Sequence, residues 1–325
     1  MSNLKKIRGD FDGNSSDEEE NVLLRMVTVS FDQQNQQEQG HVGSVIGRDF
    51  IRRDRTAANE HIHTDYFSTY PMFNEKIFRQ QFRMSKPLFE GILTQLQDHD
   101  NYFMLKSDAV GATGLSGVQK MTASLRMLAY GTSADSIDEY IKIGKSIAIE
   151  SLKKFYRGVV NIFKSEYLRA PNEADIARLL RVAEYCGFFG MPGSLDCMHW
   201  QWDKCPTAYQ GISFNDINVL DQSHLFDDLR AGRAPPAQFI INGHQYDMGY
   251  YLADGIYPKW ATIVPTIREP SDRKKVHFAK MQEALRKDVE RAFGVLQARF
   301  AIVKGPANFW GHEDLYYITN MCNFA

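Results

Sequence analysis

The sequence predicts a chain of the α+β or α/β class, in which a helical region precedes a smaller domain of strands and helices. Between about residues 61 and 185, apolar residues recur at helical spacing between capping residues and glycines. From Phe188 onward, short apolar runs alternate with turns and lead into one long amphipathic segment. The 325 residues are 43% apolar and 24% charged, as in an ordinary folded protein with room for two domains.

Residues 1 to about 60 are predicted to be a disordered tail. The segments "DFDGNSSDEEEN" and "FDQQNQQEQG" contain too few apolar residues to offset the entropy of ordering. Residues 1–40 hold four Lys or Arg against eight Asp or Glu, so the rest of the chain has a small positive excess despite the net charge of −2. An alternative is that the DEEE run binds a basic partner.

Several classes of protein are disfavoured by composition. No run approaches the roughly 18 apolar residues of a membrane span, and the start "MSNLKKIRGDFDG" lacks the apolar block of a signal peptide. The four cysteines of this long chain are expected to be reduced thiols. We therefore expect a protein of the nucleus or cytoplasm that is neither secreted nor bound to a membrane.

Order is predicted to begin with two helices. Asn74 is placed to cap the first, and Ser85 to start the second with Pro87 in its first turn. The residues expected to face inward are Ile77, Phe78 and Phe82 on the first helix, and Leu88, Phe89, Ile92, Leu93 and Leu96 on the second.

Three further helices resemble a helix-turn-helix unit. Ser116 is placed to cap the first, Gly131 to stop it, Gly144 to turn the chain and Ser146 to cap the third. The expected inward residues are Met121, Leu125 and Leu128 on the first helix and Ile137, Tyr140 and Ile141 on the short second one.

Basic residues on the third of these helices are candidates for DNA binding. Residues 116–165 contain eight Lys or Arg against four Asp or Glu. Such an excess suits contact with backbone phosphates, although an ordinary solvated basic face is the alternative. The candidates are Lys145, Lys153, Lys154 and Arg157.

Three acids in the second part of the chain have the character of metal ligands. Asp196 lies in an apolar stretch, where a carboxylate needs a partner, a proton or a cation. Asp254 ends the predicted strand "YYLAD", at the kind of sheet edge where ligands bind. Glu290 lies on the long helix, beside an expected core face of Leu285, Val289, Ala292, Phe293, Leu296 and Phe300.

Carboxylates converging from two strands and a helix favour Mg²⁺ or Mn²⁺. Two such ions about 3.5 to 4 Å apart support phosphodiester cleavage or strand transfer. Structural alternatives remain open for each acid. Asp196 pairs with Lys204 or Arg299, Asp254 is a turn residue before Gly255, Glu290 is a surface acid near Arg286 and Lys287, and Asp216 is a helix N-cap.

The stretch "GSLDCMHWQWDKCP" also raises the question of zinc. Cys197, His199 and Cys205 lack the usual C-x2-C spacing and a clear fourth ligand, so buried reduced thiols are the preferred interpretation. Trp200 and Trp202 alternate as in a strand, which predicts one indole on each face.

Several motifs together resemble the PIF/Harbinger superfamily of transposase-derived nucleases, the plant transposon proteins with a DDE domain. They are "GSLDCMHWQWDKCPTAY", "NDINVL", "FIINGHQYDMGYYLADGIYP" and "RKDVERAFGVLQARFAIVKGPA", with "FRMSKPLF" and "LRMLAYG" earlier. The resemblance implies an RNase H-like domain over residues 186–325 behind a DNA-binding helical region at 61–185. It assigns Asp196, Asp254 and Glu290 as catalytic acids, with Asp216 as a further metal ligand. The 35 residues at 255–289, between the last two acids, are the spacing familiar in DDE enzymes.

One departure from that family predicts a truncated domain. Relatives carry the second and third strands between the "TAY" segment and "NDINVL", but only the 19 residues at 197–215 separate Asp196 from Asp216 here. Two strands of about five residues with their turns would need all of that length. The final "NMCNFA" also falls within what resembles the family's last helix.

The resulting expectation is a divalent-metal DNA nuclease homologue, impaired by loss of this hairpin and located in the nucleus. The alternatives are a non-catalytic relative that binds DNA or a protein through the helical region or the acidic tail, and an error in the gene structure across codons 205–216. Oligomeric state is not predicted.

Overall fold

The structure is a computed structural model that describes residues 51, 53–107, 109, 111–210, 216–222, 227–233 and 236–324. Arg53–Ala325 forms one compact unit, and it is helix-rich with a small sheet, in agreement with the α+β class. A disordered tail was predicted for residues 1 to about 60. Residues 1–50 lie outside the described part of the chain, and a helix begins at Arg55. No helix of the described ranges is long and apolar enough to cross a membrane.

The first three helices surround a cluster of aromatic rings. Helix α1 (Arg55–Ile62) continues into a π-helical turn at His63–Phe67 and is followed by α2 (Glu75–Phe82) and α3 (Lys86–His99). The prediction for Asn74 is confirmed, because its side chain accepts a hydrogen bond from the Ile77 amide at 3.1 Å. The rings pack edge to face or tilted at 4.4–5.9 Å and belong to Tyr66, Phe78, Phe82 and Phe89.

The three central helices are α4 (Gly117–Tyr130), α5 (Ala134–Ile141) and α6 (Lys145–Tyr167). The Ser116 cap is confirmed as a full capping box with Gln119, and Gly131 ends α4 at a φ of +62°. The start predicted for α6 is wrong by two residues, because Gly144 is the N-cap and Ser146 lies inside the first turn. The left-handed turn before it falls on Lys142 rather than on Gly144.

Helix α7 (Glu173–Tyr185) leads into a three-stranded parallel sheet of order β1–β4–β5. Its strands are short: β1 is Gly193–Ser194, β4 is Tyr251–Ala253 and β5 is Ile263–Pro265. Two short helices, α8 (Asp216–Gln222) and α9 (Asp227–Arg230), lie between β1 and β4 along the chain.

A separate antiparallel hairpin precedes β4. Strands β2 (Pro236–Ile241) and β3 (His244–Met248) are joined by Asn242 and Gly243, both with positive φ. This combination is the one that a two-residue hairpin turn requires.

The C-terminal elements pack into the helical core. Helix α10 (Arg273–Arg299) is followed by a 3₁₀ turn at Ala301–Val303 and by α11 (His312–Phe324). Five residues of this segment belong to the same buried cluster as α2 to α6: Phe300, Val303, Ile318, Met321 and Cys322. The end of the chain therefore packs against the helical region that precedes the sheet.

Helix α10 is covered less than its pattern predicts. Gln282 is its one buried residue, and the expected core face is half-buried except for Ala292, which is exposed, and Phe300, which follows the helix and is buried. The physical reason is the small area of the sheet, since three strands of two or three residues cover little of a helix of 27 residues.

Candidate functional site

Two predicted acids follow neighbouring parallel strands. Ser194 of β1 pairs with Leu252 of β4, and the Leu195 amide donates to the Leu252 carbonyl at 2.7 Å. Asp196 lies two residues after the end of β1, and Asp254 directly follows β4. Both acids thus come just after the carboxyl ends of adjacent strands, as expected for a site at a sheet edge.

A buried glutamine ties α10 to this edge of the sheet. The Gln282 side-chain NH₂ donates to the carbonyls of Ala253 and Val264, at 3.2 and 3.1 Å. These carbonyls lie near the ends of β4 and β5, so the contact fixes the height of α10 against the strands. The Gln282 Oε1 atom is buried and has no hydrogen-bond partner within the described part of the chain.

Glu290 lies two turns further along α10 and pairs with an arginine. Its Oε1 atom is 2.7 Å from Nη1 of Arg286, whose side chain is only 13% exposed against 43% for Glu290. The predicted alternative, a helical ion pair between neighbouring turns, is therefore the contact that the structure contains.

Asp196 is within electrostatic reach of this ion pair. Desolvation raises the pKa of Asp196, while the Cys197 amide, which donates to it at 3.0 Å, and the charge of Arg286 lower it. Glu290 and Asp216 raise the same pKa further. Asp196, Glu290 and Asp216 are therefore close enough for their charges to interact. The predicted ion pair of Asp196 with Lys204 or Arg299 is not found among the described residues, and Arg286 is the cation whose charge lowers the pKa of Asp196.

The other two acids have local partners of their own. Asp216 is the first residue of α8, and its Oδ1 atom lies 2.8 Å from Nε2 of His199. The exposed Asp254 accepts a hydrogen bond from the Gly255 amide at 2.5 Å, and its carbonyl accepts one from Tyr257 at 3.1 Å. Asp254 thus has the geometry of the turn residue that was its structural alternative.

The four acids as arranged do not fit a Mg²⁺ or Mn²⁺ site. Such an ion needs several oxygen ligands at about 2.1 Å from one point, with carboxylates free to turn toward it. Over the described ranges, no three His, Cys, Asp or Glu side chains converge in this way. Each carboxylate instead has a partner within the protein, and the partner of Glu290 is itself a cation.

The stretch that follows Asp196 is irregular backbone rather than a strand. Strand β1 ends at Ser194, and the prediction of one indole on each face is wrong. The Trp200 and Trp202 indole N–H groups both reach one segment, donating to the carbonyls of Gly305 at 2.7 Å and Phe309 at 2.6 Å. The two rings anchor this stretch to the loop between α10 and α11.

The residues considered for zinc have separate environments. The Cys197 sulfur accepts a hydrogen bond from the Tyr257 hydroxyl at 3.3 Å, and burial raises the pKa of that thiol. His199 pairs with Asp216, as described above. Cys205 contacts the Pro206 carbonyl at 3.6 Å, and all four cysteines of the chain are free.

Comparison with known families matches the plant transposon protein family over residues 165–214 and 212–324. This chain belongs to the plant transposon protein family. The match confirms the resemblance to PIF/Harbinger-type transposase-derived proteins, and the two matched segments meet at residues 212–214. A domain of unknown function, DUF8418, also matches residues 59–97. No curated protein matches the chain, and no solved structure does.

In this plant transposon protein, the four basic residues predicted to bind DNA are engaged in ion pairs. Lys145 bridges to Asp135 at 3.1 Å and Lys154 to Asp100 at 3.2 Å, in largely exposed positions. Exposed pairs of this kind contribute little, so both lysines can exchange a carboxylate for a phosphate at low cost.

The other two basic residues of α6 hold the C-terminal helix. Asp314 of α11 is 5% exposed and accepts a hydrogen bond from the buried Tyr156 hydroxyl at 2.6 Å. Lys153 lies 3.2 Å from the same carboxylate and Arg157 lies 3.4 Å from it. Sequence reasoning missed this cluster, because nothing in the pattern links α6 to an acid more than 150 positions later.

A second basic segment, for which no site was predicted, lies at the start of α10. The run "DRKKVHFAK" opens α10 and contains four exposed Lys or Arg for which the described part of the chain offers no ion pair: Arg273, Lys274, Lys275 and Lys280. Next to them is an open groove of about 830 Å³, lined largely by apolar side chains from the end of α7, the β2–β3 hairpin and α10. Arg273 and Lys274 lie at this groove.

Proposed function

We propose that this chain is a transposase-derived relative of divalent-metal DNA nucleases that binds double-stranded DNA without cleaving it. Descent from a nuclease is supported by the order of the sheet and its acids. In relatives, the second and third strands of the RNase H-like fold lie between the "TAY" segment and "NDINVL". A fold without those two strands would retain three parallel strands in the order seen here for β1, β4 and β5. Asp196 follows β1, Asp254 follows β4, and Glu290 lies on the next long helix, α10. This is the order that the family resemblance implies.

Loss of two strands is supported by the segment between Asp196 and Asp216. Its described residues, up to 210, contain one isolated bridge at Trp202 and one 3₁₀ turn at Thr207–Tyr209. Strand β1 pairs only with β4 and has no neighbour on its other side among the described strands. The two family matches also meet here, as a deletion inside one domain would produce.

The observation that carries the non-cleaving reading is the ion pair between Glu290 and the nearly buried Arg286. Two-ion phosphodiester chemistry requires carboxylates that are held within a fraction of an ångström and are free to bind metal. In this chain the third acid of the set has a fixed positive neighbour. The alternative is residual cleavage with Mg²⁺ or Mn²⁺, which the experiment below would detect.

DNA binding is supported by two basic surfaces. The first is the exposed part of the predicted set on α6, Lys145 and Lys154, whose ion pairs are weak. The second is the opening of α10, where Arg273, Lys274, Lys275 and Lys280 are exposed within eight positions. Clustered cations of this kind bind phosphates without reading sequence, and such binding weakens steeply with salt.

Fluorescence anisotropy with a labelled duplex of about 20 base pairs tests this proposal. We expect binding whose logarithmic salt slope falls by up to about four when the four cations of α10 are changed to Ala, since each phosphate contact contributes about 0.9. Changing Lys145 and Lys154 to Ala is expected to lower the slope by up to about two. A wild-type chain that does not bind duplex DNA at low salt would refute the proposal.

Cleavage is tested on supercoiled plasmid with Mn²⁺. We expect no nicking above the background of the Asp196→Ala variant. Nicking by the wild-type chain that Asp196→Ala abolishes would show that the acid set is active and would replace the non-cleaving reading. A nuclear location and a protein partner, through the tail or the helical region, remain expectations; localisation of the tagged chain and capture of its partners test them.

A further inference from the structure

Arg286 has an unusual environment for an arginine on a half-covered helix. Its side chain is 13% exposed, and its Nε atom is buried without a hydrogen-bond partner among the described residues. A buried guanidinium is unfavourable unless negative charge compensates it. The compensation comes from Glu290 at 2.7 Å and from the nearby Asp196.

The two carboxylates around Arg286 are the ones that the family resemblance assigns to metal binding. They come from different elements, one from the end of β1 and one from α10. In a metal-dependent relative, a divalent cation would be needed to neutralise such a pair across the gap between sheet and helix. In this chain a protein cation already pairs with one of them, Glu290, and its charge acts on the other, Asp196.

We propose that the guanidinium of Arg286 takes the place of a metal ion beside Asp196 and Glu290 and excludes divalent cations from these carboxylates. The inference rests on the proposed descent of the two acids from a metal-binding set. A guanidinium has no accessible deprotonated form in proteins, so the exclusion holds at every ordinary pH. Removing the charge of Arg286 should therefore open a cation site that the natural chain lacks.

Titration with Mn²⁺, followed by calorimetry and by the loss of the free-ion paramagnetic resonance signal, tests the inference. The Arg286→Gln variant keeps polarity and similar length but removes the charge. We expect it to bind Mn²⁺ at least tenfold more tightly than the wild-type chain. The double variant Arg286→Gln with Glu290→Gln should lose that gain, because one of the two carboxylates is gone.

Arg291→Gln is the matched control on the same helix. Arg291 is exposed and pairs with Asp288 within α10, so the variant makes the same change in charge at a site unrelated to Asp196. We expect its affinity for Mn²⁺ to equal that of the wild-type chain. A gain equal to that of Arg286→Gln would mean that net charge alone controls the binding, and it would overturn the inference.

Two further measurements test the inference even if circular dichroism shows that the Arg286→Gln variant does not fold. The wild-type chain must not bind one Mn²⁺ per chain at micromolar affinity, and Arg286→Lys, which keeps the charge, must bind no better than wild type. Either kind of binding would overturn the inference. Anisotropy in EDTA reports DNA binding separately, so failure of the metal experiment leaves the DNA proposal standing, and the reverse also holds.

Discussion

Replacing Asp314 by Ala removes the acid that joins α11 to α6. The carboxylate is 5% exposed, accepts from Tyr156 at 2.6 Å and lies 3.2 Å from Lys153 and 3.4 Å from Arg157. Burial raises the pKa of Tyr156, and the hydrogen bond to Asp314 raises it further, so the phenol remains a donor at ordinary pH. The variant leaves this buried donor without an acceptor and two cations without their shared partner.

The expected loss is about 3 kcal/mol. An unsatisfied buried donor costs about 1–3 kcal/mol, and breaking a buried ion pair costs about 3–5 kcal/mol. The expected loss falls just below the summed range of about 4–8 kcal/mol, because Lys153 and Arg157 are half-exposed and can turn to water. The loss should be visible in the unfolding of the whole compact unit, since α11 shares the main core.

Urea denaturation followed by far-ultraviolet circular dichroism measures this loss. With a slope of about 3 kcal/mol per molar urea, the midpoint should fall by about 1 M. Glu313→Ala is the control, because Glu313 contacts the same Arg157 at 3.1 Å but is 57% exposed, and we expect a loss of less than about 1 kcal/mol. Equal effects of the two substitutions would refute the buried-anchor interpretation of Asp314.

Two other predictions concern single contacts. Hydrogen bonds from Arg53 lower the pKa of Asp138, so its contribution to stability is present above the usual carboxylate pKa and is lost as pH falls through the lowered value. Asp138→Asn should therefore destabilise by about 1 kcal/mol at pH 7 and by less near pH 2, as measured by urea titration at both pH values. An equal effect at both pH values would contradict this. Gly190→Ala should destabilise by about 2–4 kcal/mol in the same assay, because φ is +80° and a Cβ would lie 2.0 Å from the Phe239 ring. Gly187→Ala has a similar φ of +85° but open space around it, so a loss of only about 1 kcal/mol is expected, and equal losses would exclude the ring contact as the cause.

Local signals in the sequence were sufficient for most helices of the first part. Asn74, Ser116 and Gly131 act within one turn of their own positions, so capping geometry can be inferred without knowing the fold. The start of α6 was misplaced because Gly144 and Ser146 are both acceptable caps, and the left-handed turn at Lys142 has no residue signature.

The position of the candidate site could be predicted from the sequence, but the ionic partners of its acids could not. Acids after apolar strand segments placed Asp196 and Asp254 at a sheet edge, and the short interval before Asp216 led to the prediction that two strands of the family's domain are missing. The sequence could not show that Arg286 pairs with Glu290 and that its charge also acts on Asp196. Its spacing to Glu290 is also that of an ordinary surface ion pair.

By itself, the sequence determined the family, the caps at Asn74, Ser116 and Gly131 and the order of the acids, because these depend on residue types at short spacing. Only the tertiary structure decided which charges meet. Lys153 and Arg157 appeared to be free for DNA until α11 brought Asp314 against them, and the half-buried state of α10 follows from the small sheet beneath it. Long-range pairing depends on how the chain folds back on itself, and a local pattern carries no information about that.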